Sequence, residues 1–427
     1  MQGAPARRSL WLDIAIYGGG AVFAVVTAIA SEFYGYRVWG NCATVGYLVA
    51  VALTARIITT GRGSRWVPVW VVAALGAVAP LLYLAFRRAP NYVWGPWPWS
   101  FPAQPEVWVI ERSAGELFAH GNPYIDLTAL GRPPTPDDYT PYGPAMTVFG
   151  FPRALFGDHP LTDARVAFLV VTAAALLLAW RVLGRPNLPV RAAHLVVASP
   201  LTVLTLAVAG DDIAVVALVV LATAVAYRPG AISPWWTGAL CAVLVTMKFT
   251  ALPAAAVLAV GIAATRGVKA FGAAAVAFAA VGSALVLPVL LADPTRFVEH
   301  VVKFPVGLGR ASSPASSPLP GHLLASLGPA GHTTALVLLG LAAAATATWV
   351  LVRPPRTAAD AVLRTAVGLG AAIVLAPATR WGYLVYPVVL LGAAIGFAAA
   401  NRVGTGVSAP AERSSVDGTP RDKARPA

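Results

Sequence analysis

Twelve apolar runs set the limits on this chain, near 11–31, 43–60, 68–86, 162–182, 192–209, 213–227, 235–247, 250–265, 270–292, 333–352, 361–378 and 383–400. In hydrocarbon the backbone has to satisfy its own hydrogen bonds, so runs of this length predict helices. With 58% hydrophobic and only 11% charged residues, the chain is no ordinary soluble domain. The expected fold is all-α, a polytopic membrane protein of about twelve transmembrane helices over residues 1–400. Residues 401–427 are rich in Arg, Ser and Pro without hydrophobic periodicity and are expected to form a disordered tail. The stretch 235–265 admits two readings. As one helix it would be about 46 Å long, against a hydrocarbon core of about 30 Å. Lys248 in its middle and the kink expected at Pro253 favour two short tilted helices with Lys248 at the turn between them.

Charge orients the bundle. The segments that alternate to one side carry 19 of the 31 Lys and Arg, while those on the other side carry 13 of the 18 acids. Positive charge stays inside, so both termini are expected in the cytoplasm of a plasma-membrane protein. Two long segments, about 87–161 and 293–332, then lie outside. The net charge of +13 is accounted for by short inner loops and the tail, and does not indicate nucleic-acid binding. Ala28-Ile29-Ala30 mimics a signal-peptidase site. The preceding run is long for a signal peptide, however, and reads as a retained first span. The two cysteines form neither a disulfide framework nor a zinc pattern.

The outer segment 87–161 is longer than a connection between two helices requires. Loops of this length are functional or disordered, and its aromatics (among them Tyr92, Trp94, Trp97, Trp99, Phe101, Trp108, Tyr124, Tyr139 and Tyr142) argue against disorder. It carries Glu106, Glu111, Glu116, Asp126, Asp137, Asp138 and Asp158. Pro105 to His120 reads as an amphipathic helix, with Val107, Ile110, Ala114 and Leu117 on one face. Pro105 starts it, and Gly121 with Pro123 ends it. Such a helix would lie along the membrane surface, with Glu106 in its first turn. There Glu106 is either a functional acid or a complement to the helix dipole. A second helix is expected from Ala145 to Phe156, broken by Pro152 and either re-entrant or packed on the bundle.

Further polar groups fall at span ends. Asp211 and Asp212 can bind a metal, a sugar hydroxyl or a proton, or one of them can cap the next helix; a lone pair of aspartates is weak metal evidence. Lys248 and Arg380 are cations placed where charge is costly, and each can hold an anionic lipid headgroup or simply snorkel to the interface. Trp381 and Tyr383 flank Arg380 as interfacial aromatics. Phe297 to Gly309 reads as an outer surface helix carrying His300 and Lys303, with an ordinary solvated face as the plainer alternative. Gly392 and Gly396 on the last span mark close packing within the bundle. No P-loop, GxSxG or HExxH occurs, so ATP-driven transport and standard hydrolase chemistry gain no support.

Several short motifs together resemble the GT-C superfamily of membrane glycosyltransferases, most of all its family-87 branch. They are Glu106-Val107-Trp108-Val109 with Ala114, Leu117 and Gly121-Asn122-Pro123-Tyr124, then Tyr139-Thr140-Pro141-Tyr142-Gly143-Pro144. Gly210-Asp211-Asp212, Thr246-Met247-Lys248-Phe249-Thr250 and Arg380-Trp381-Gly382-Tyr383 sit where that family has polar breaks between spans. The resemblance covers about residues 90–400; it departs in the loop acid, usually Asp and here Glu106. It implies an inverting hexosyltransferase that moves a sugar, commonly mannose, from a polyprenyl-phosphate donor to a glycolipid or polysaccharide acceptor of the cell envelope. Under that reading Glu106 is the catalytic base, and Arg380 and Lys248 contact the donor phosphate. Asp211 or Asp212 orients hydroxyls, and Tyr124, Tyr139, Tyr142, Tyr383, His300 and Lys303 contribute to substrate binding. No metal ligand set and no resident cofactor follow from it, and a requirement for a divalent cation stays open. The rival class is a secondary transporter of a small polar solute. Transporters show related halves and midplane polar breaks, whereas here no halves are evident and the polar groups gather at one face.

Overall fold

The structure, a computed structural model, describes residues 4–88, 103–228 and 232–405. The expected aromatics Tyr92, Trp94, Trp97, Trp99 and Phe101 lie outside the described residues, as does the expected disordered tail 401–427 from residue 406 onward; its first residues, 401–405, are instead helical and continue the last span. The described chain is helical, with one isolated bridge between Ser316 and Thr379.

Every one of the twelve expected runs is helical. The bundle consists of α1 (Ala4–Ala30), α2 (Tyr34–Thr60) and α3 (Trp66–Phe86, with a π-turn at Ala73–Val78), followed by the loop helix α4 (Pro105–His120) and then α5 (Ala164–Val182). It continues through α6 (Val190–Val196), α7 (Pro200–Val208), α8 (Asp211–Tyr227), α9 (Pro234–Met247), α10 (Leu252–Arg266) and α11 (Val268–Ala292). It ends with α12 (Pro329–Val352), α13 (Ala358–Leu375) and α14 (Val385–Thr405). Among the described residues nine helices are long and apolar enough to cross a membrane. The other three expected spans are shorter or bent, and the set is compatible with about twelve crossings. The run 192–209 is not straight: α6 and α7 meet at 41°, because Pro200 starts a new helix and cannot donate back into the old one. The 235–265 stretch divides as expected, with Lys248 in extended conformation between α9 and α10.

The centre of the bundle is α8. All its residues but Leu218 and Tyr227 are buried, as befits a helix apolar all round. The chain enters it through Gly210, whose φ of +95° leads directly from α7 and is a conformation that favours glycine. Gly392 and Gly396 let α14 close on α6; a Cβ at Gly392 would stand 2.7 Å from Val196 Cγ2.

Two loop expectations need correction. Pro152 does not break a helix. Residues Pro144–Gly150 form a 3-10 helix, and Pro152 sits in the first turn of the short α-helix Phe151–Phe156 that follows. And Phe297–Gly309 is no solvated surface helix. Pro294–Phe297 runs into a π-helix, Val298–Lys303, whose Glu299, His300 and Val301 are buried.

Candidate active site at the loop end of the bundle

α4 begins and ends where the sequence places it, with Val107, Ile110 and Ala114 buried. It is pinned by charge as well as packing. Glu111 receives Arg88 Nη1 at 2.8 Å and the backbone N–H of Ala164 at 2.8 Å. Arg88 also reaches Asp163 at 2.9 Å, and Arg165 donates to both oxygens of Asp163, at 2.9 and 2.7 Å. These four side chains are at most 4% exposed. The network ties the ends of α3 and α5 to α4, and so fixes where the α4 N-terminus points.

That N-terminus carries Glu106. Arg380 Nη1 donates to Glu106 Oε1 in a close ion pair, while Glu106 Oε2 is buried and meets no donor among the described residues. Beside them, Gln104 bonds Val208 O through its backbone N–H at 2.9 Å and the Tyr36 hydroxyl through its side chain. Arg380 is held from behind by the bridge. Thr379 N donates to Ala315 O at 3.1 Å, Ser317 N to Thr379 O at 2.9 Å, and Trp381 N to Ser317 Oγ at 3.0 Å. The Glu106 charge raises the Arg380 pKa, so the guanidinium stays charged.

Lys248 forms a second centre. Its Nζ lies 2.8 Å from Asp211 Oδ2 and 2.5 Å from Asp212 Oδ1. Tyr386 donates to Asp212 at 2.7 Å, and Tyr142 to Asp211 at 3.3 Å. Neither aspartate caps α8, because Gly210 occupies the cap position. The rings of Tyr142 and Tyr383 stand 5.3 and 5.6 Å from Lys248 Nζ and also feel the Glu106 charge. The two centres are therefore neighbours. They differ in one respect: two carboxylates take up the Lys248 charge, whereas Arg380 is shared with one acid and its Nε and Nη2 bond no other described residue.

The segment Tyr139–Pro144 is stretched between these centres and the π-helix. An extended, proline-rich stretch has no ladder of its own, so its polar groups need outside partners. Thr140 N donates to His300 Nδ1 at 2.9 Å, Tyr124 Oη to Tyr142 O at 2.9 Å, and Gly143 N to Met247 O at 3.1 Å. A Cβ at Gly143 would lie 2.1 Å from Thr246 O, so only glycine permits this approach. Tyr139 stacks on Phe304 at 4.1 Å and accepts from Arg310 N at 2.8 Å.

Three residues expected to contribute to substrate binding have structural partners here: Tyr124 is 1%, Tyr139 0% and His300 0% exposed, and their bonds hold this extended segment, the strap, in place. Lys303 is exposed and pairs with Glu299 at 3.1 Å, the same glutamate that accepts from the Tyr139 hydroxyl at 3.3 Å. The expected residues that do come together are Glu106, Arg380, Lys248, Asp211, Asp212, Tyr142 and Tyr383. Tyr36, Gln104 and Tyr386 join them without having been singled out. For Tyr36 and Tyr386 no local signal exists, since each is one aromatic in an apolar run.

Burial lowers the His300 pKa to about 4. The ring is therefore neutral at pH 7, with Nδ1 accepting from Thr140 and Nε2 donating to Ile125 O at 3.1 Å. Because the unfolded chain takes up this proton near pH 6.5 and the folded one only near 4, the stability from His300 is complete above 6.5 and is lost as pH falls toward 4. A thermal melt of the purified protein should show this slope, and His300→Gln, whose amide can make both bonds, should flatten it. An equal slope in the variant would remove His300 as its source.

No group of three or more His, Cys, Asp or Glu that could hold a metal occurs among the described residues. The model of glycosyltransferase family 87 matches residues 139–377, more than half of the chain. The match takes in the Tyr139–Pro144 segment, Asp211, Asp212, Lys248 and His300; Arg380 lies just past its end, and Glu106 lies well before its start. No curated protein matches. Among solved structures, the chain is similar to ArnT from Cupriavidus metallidurans. The apo form gives a TM-score of 0.45 and the form bound to undecaprenyl phosphate 0.47, both at 18% identity and over 76% of this chain. The chain spans 59% of the length of that protein.

Proposed function

The chain belongs to glycosyltransferase family 87, and from that premise we propose that it transfers a hexose, mannose foremost, from a polyprenyl-phosphate donor to a glycolipid or polysaccharide acceptor of the cell envelope. The reaction takes place at the outer face of the plasma membrane, with both termini in the cytoplasm. The observation that carries this reading is the Glu106–Arg380 pair with one carboxylate oxygen left over.

Inverting transfer from a lipid phosphate needs a base at the acceptor and a cation at the leaving group. Glu106 Oε2 takes the proton of the acceptor hydroxyl. The hydroxyl oxygen forms the new bond to the anomeric carbon, the bond from that carbon to the phosphate oxygen breaks, and its electron pair leaves with the polyprenyl phosphate. The phosphate gains negative charge as it departs, and the Arg380 guanidinium receives it. Lys248 has a different part. Held by Asp211 and Asp212, it contributes less to phosphate than to fixing Tyr142 and the strap. A single acid suffices, because a phosphate leaves without prior protonation.

The test is to incubate the purified protein with labelled polyprenyl-phosphate mannose and an envelope extract from cells that lack it, and to follow label into a glycoconjugate. Absence of any transfer, with the same outcome for polyprenyl-phosphate glucose and galactose, would refute the reading. Arg380→Lys keeps the charge but not the planar fork. It should lower the rate about a hundredfold, read as initial velocity at saturating donor.

A further inference from the structure

Gln104 is the N-cap residue of α4, in extended conformation, yet its side chain makes no capping bond. A helix start ordinarily carries a side chain that satisfies one of the free N–H groups of the first turn. Gln104 instead donates its amide N–H to the hydroxyl of Tyr36, in the first turn of α2. Its backbone is held at the same time. Its N–H donates at 2.9 Å to the carbonyl of Val208, the last residue of α7, and its own carbonyl accepts from Val107 N at 3.1 Å. Three helices thus meet on one glutamine. On the Tyr36 side the packing is open: α2 and α4 touch little, and a small cleft remains among Phe33, Tyr36, Ala103, Gln104, Pro105 and Val208. There the hydrogen bond, and not close packing, joins the start of α4 to α2.

Glu106 is the second residue after Gln104, and Pro105 between them has a fixed φ. The chain therefore enters the helix with little freedom, and the first turn of α4 goes where Gln104 is held. From that place Glu106 has to pair with Arg380 through one oxygen and leave the other free of donors. A misplacement of about 1 Å at a reacting group can cost about a hundredfold in rate. We propose that Tyr36 and Gln104 are positioning residues for Glu106. Their bond holds the first turn of α4 where this carboxylate meets Arg380, and neither side chain need touch the sugar or the phosphate. The entry into α2, outside the region that the family model matches, thereby becomes part of the transfer machinery. The inference rests on the reading of Glu106 as base.

The discriminating measurement separates turnover from half-saturation for the full-length protein in detergent or nanodiscs. Labelled polyprenyl-phosphate mannose is titrated in one series and the envelope extract in the other. Tyr36→Phe removes one oxygen and leaves the ring beside Phe33, whose centroid stands 5.2 Å away. It should lower turnover about tenfold through lost alignment, with both half-saturation constants and the melting temperature near those of the parent. Gln104→Met keeps the length of the side chain and loses its amide, and should do the same. The double variant should lose no more than either single one, because all three remove one contact. Unchanged turnover in Tyr36→Phe, a shift of either half-saturation constant as large as the loss in turnover, or losses that multiply in the double variant would each overturn the assignment while leaving Glu106 as base. Full transfer by Glu106→Gln would remove the base, and no transfer by the parent would remove the functional reading; this inference falls with either. Should Tyr36→Phe not fold, Gln104→Met is judged in its place by the same constants.

Discussion

Glu106→Gln is expected to reduce sugar transfer by about 10²–10⁴-fold, the usual worth of a positioned general base, while the protein still reaches the membrane. Glutamine has the size of glutamate and can still accept from Arg380 through its carbonyl, so the pair that locates the α4 N-terminus survives as a neutral contact. What is lost is the oxygen at Oε2, which becomes an amide nitrogen with two hydrogens and cannot take a proton. The effect should therefore fall on turnover, with monodispersity and melting temperature near those of the parent. Full transfer activity in a well-folded Glu106→Gln sample would take this side chain out of the reaction.

Glu111→Ala should be the most damaging substitution for stability in the loop, at about 3 kcal/mol. Glu111 is 3% exposed in its side chain and shares Arg88 with Asp163. Its removal takes a carboxylate from a buried guanidinium and the acceptor from Ala164 N–H. Buried charge that loses its partner is not compensated by water. The melting temperature of the purified variant reports the loss, and an unchanged melt would show that the network carries no stability. Since the same helix bears Glu106 five residues earlier, any residual activity should fall too.

Much of this arrangement was legible in the sequence because it depends on local rules. The bounds of α4 follow from Pro105 at its start and Gly121 at its end, and the apolar runs follow from what hydrocarbon demands of a backbone. The juxtaposition of Glu106 and Arg380, 274 positions apart, was reached through resemblance and not through spacing. What could not be read is how a polar residue is spent. His300 and Lys303 look alike as candidates, yet the π-helix turns one into the core and leaves the other in solvent. Lys248 and Arg380 are both cations at span ends, and only the fold reveals that one faces two aspartates and the other a single glutamate. Tyr124 and Tyr139 were expected to contribute to substrate binding. In the fold Tyr124 donates to the Tyr142 carbonyl of the extended strap, and Tyr139 accepts from the backbone N–H of Arg310.

The middle helix is completed by the last one. Asp212, at the head of α8, receives the hydroxyl of Tyr386 from α14, and α8 is enclosed along nearly its whole length. During translation, then, the centre of the molecule exists long before its final wall. The carboxylates of Asp211 and Asp212 have Lys248 within 37 residues of chain, but the remaining partner arrives some 174 residues later. A nascent chain halted before α14 would therefore lack the hydroxyl that Asp212 accepts.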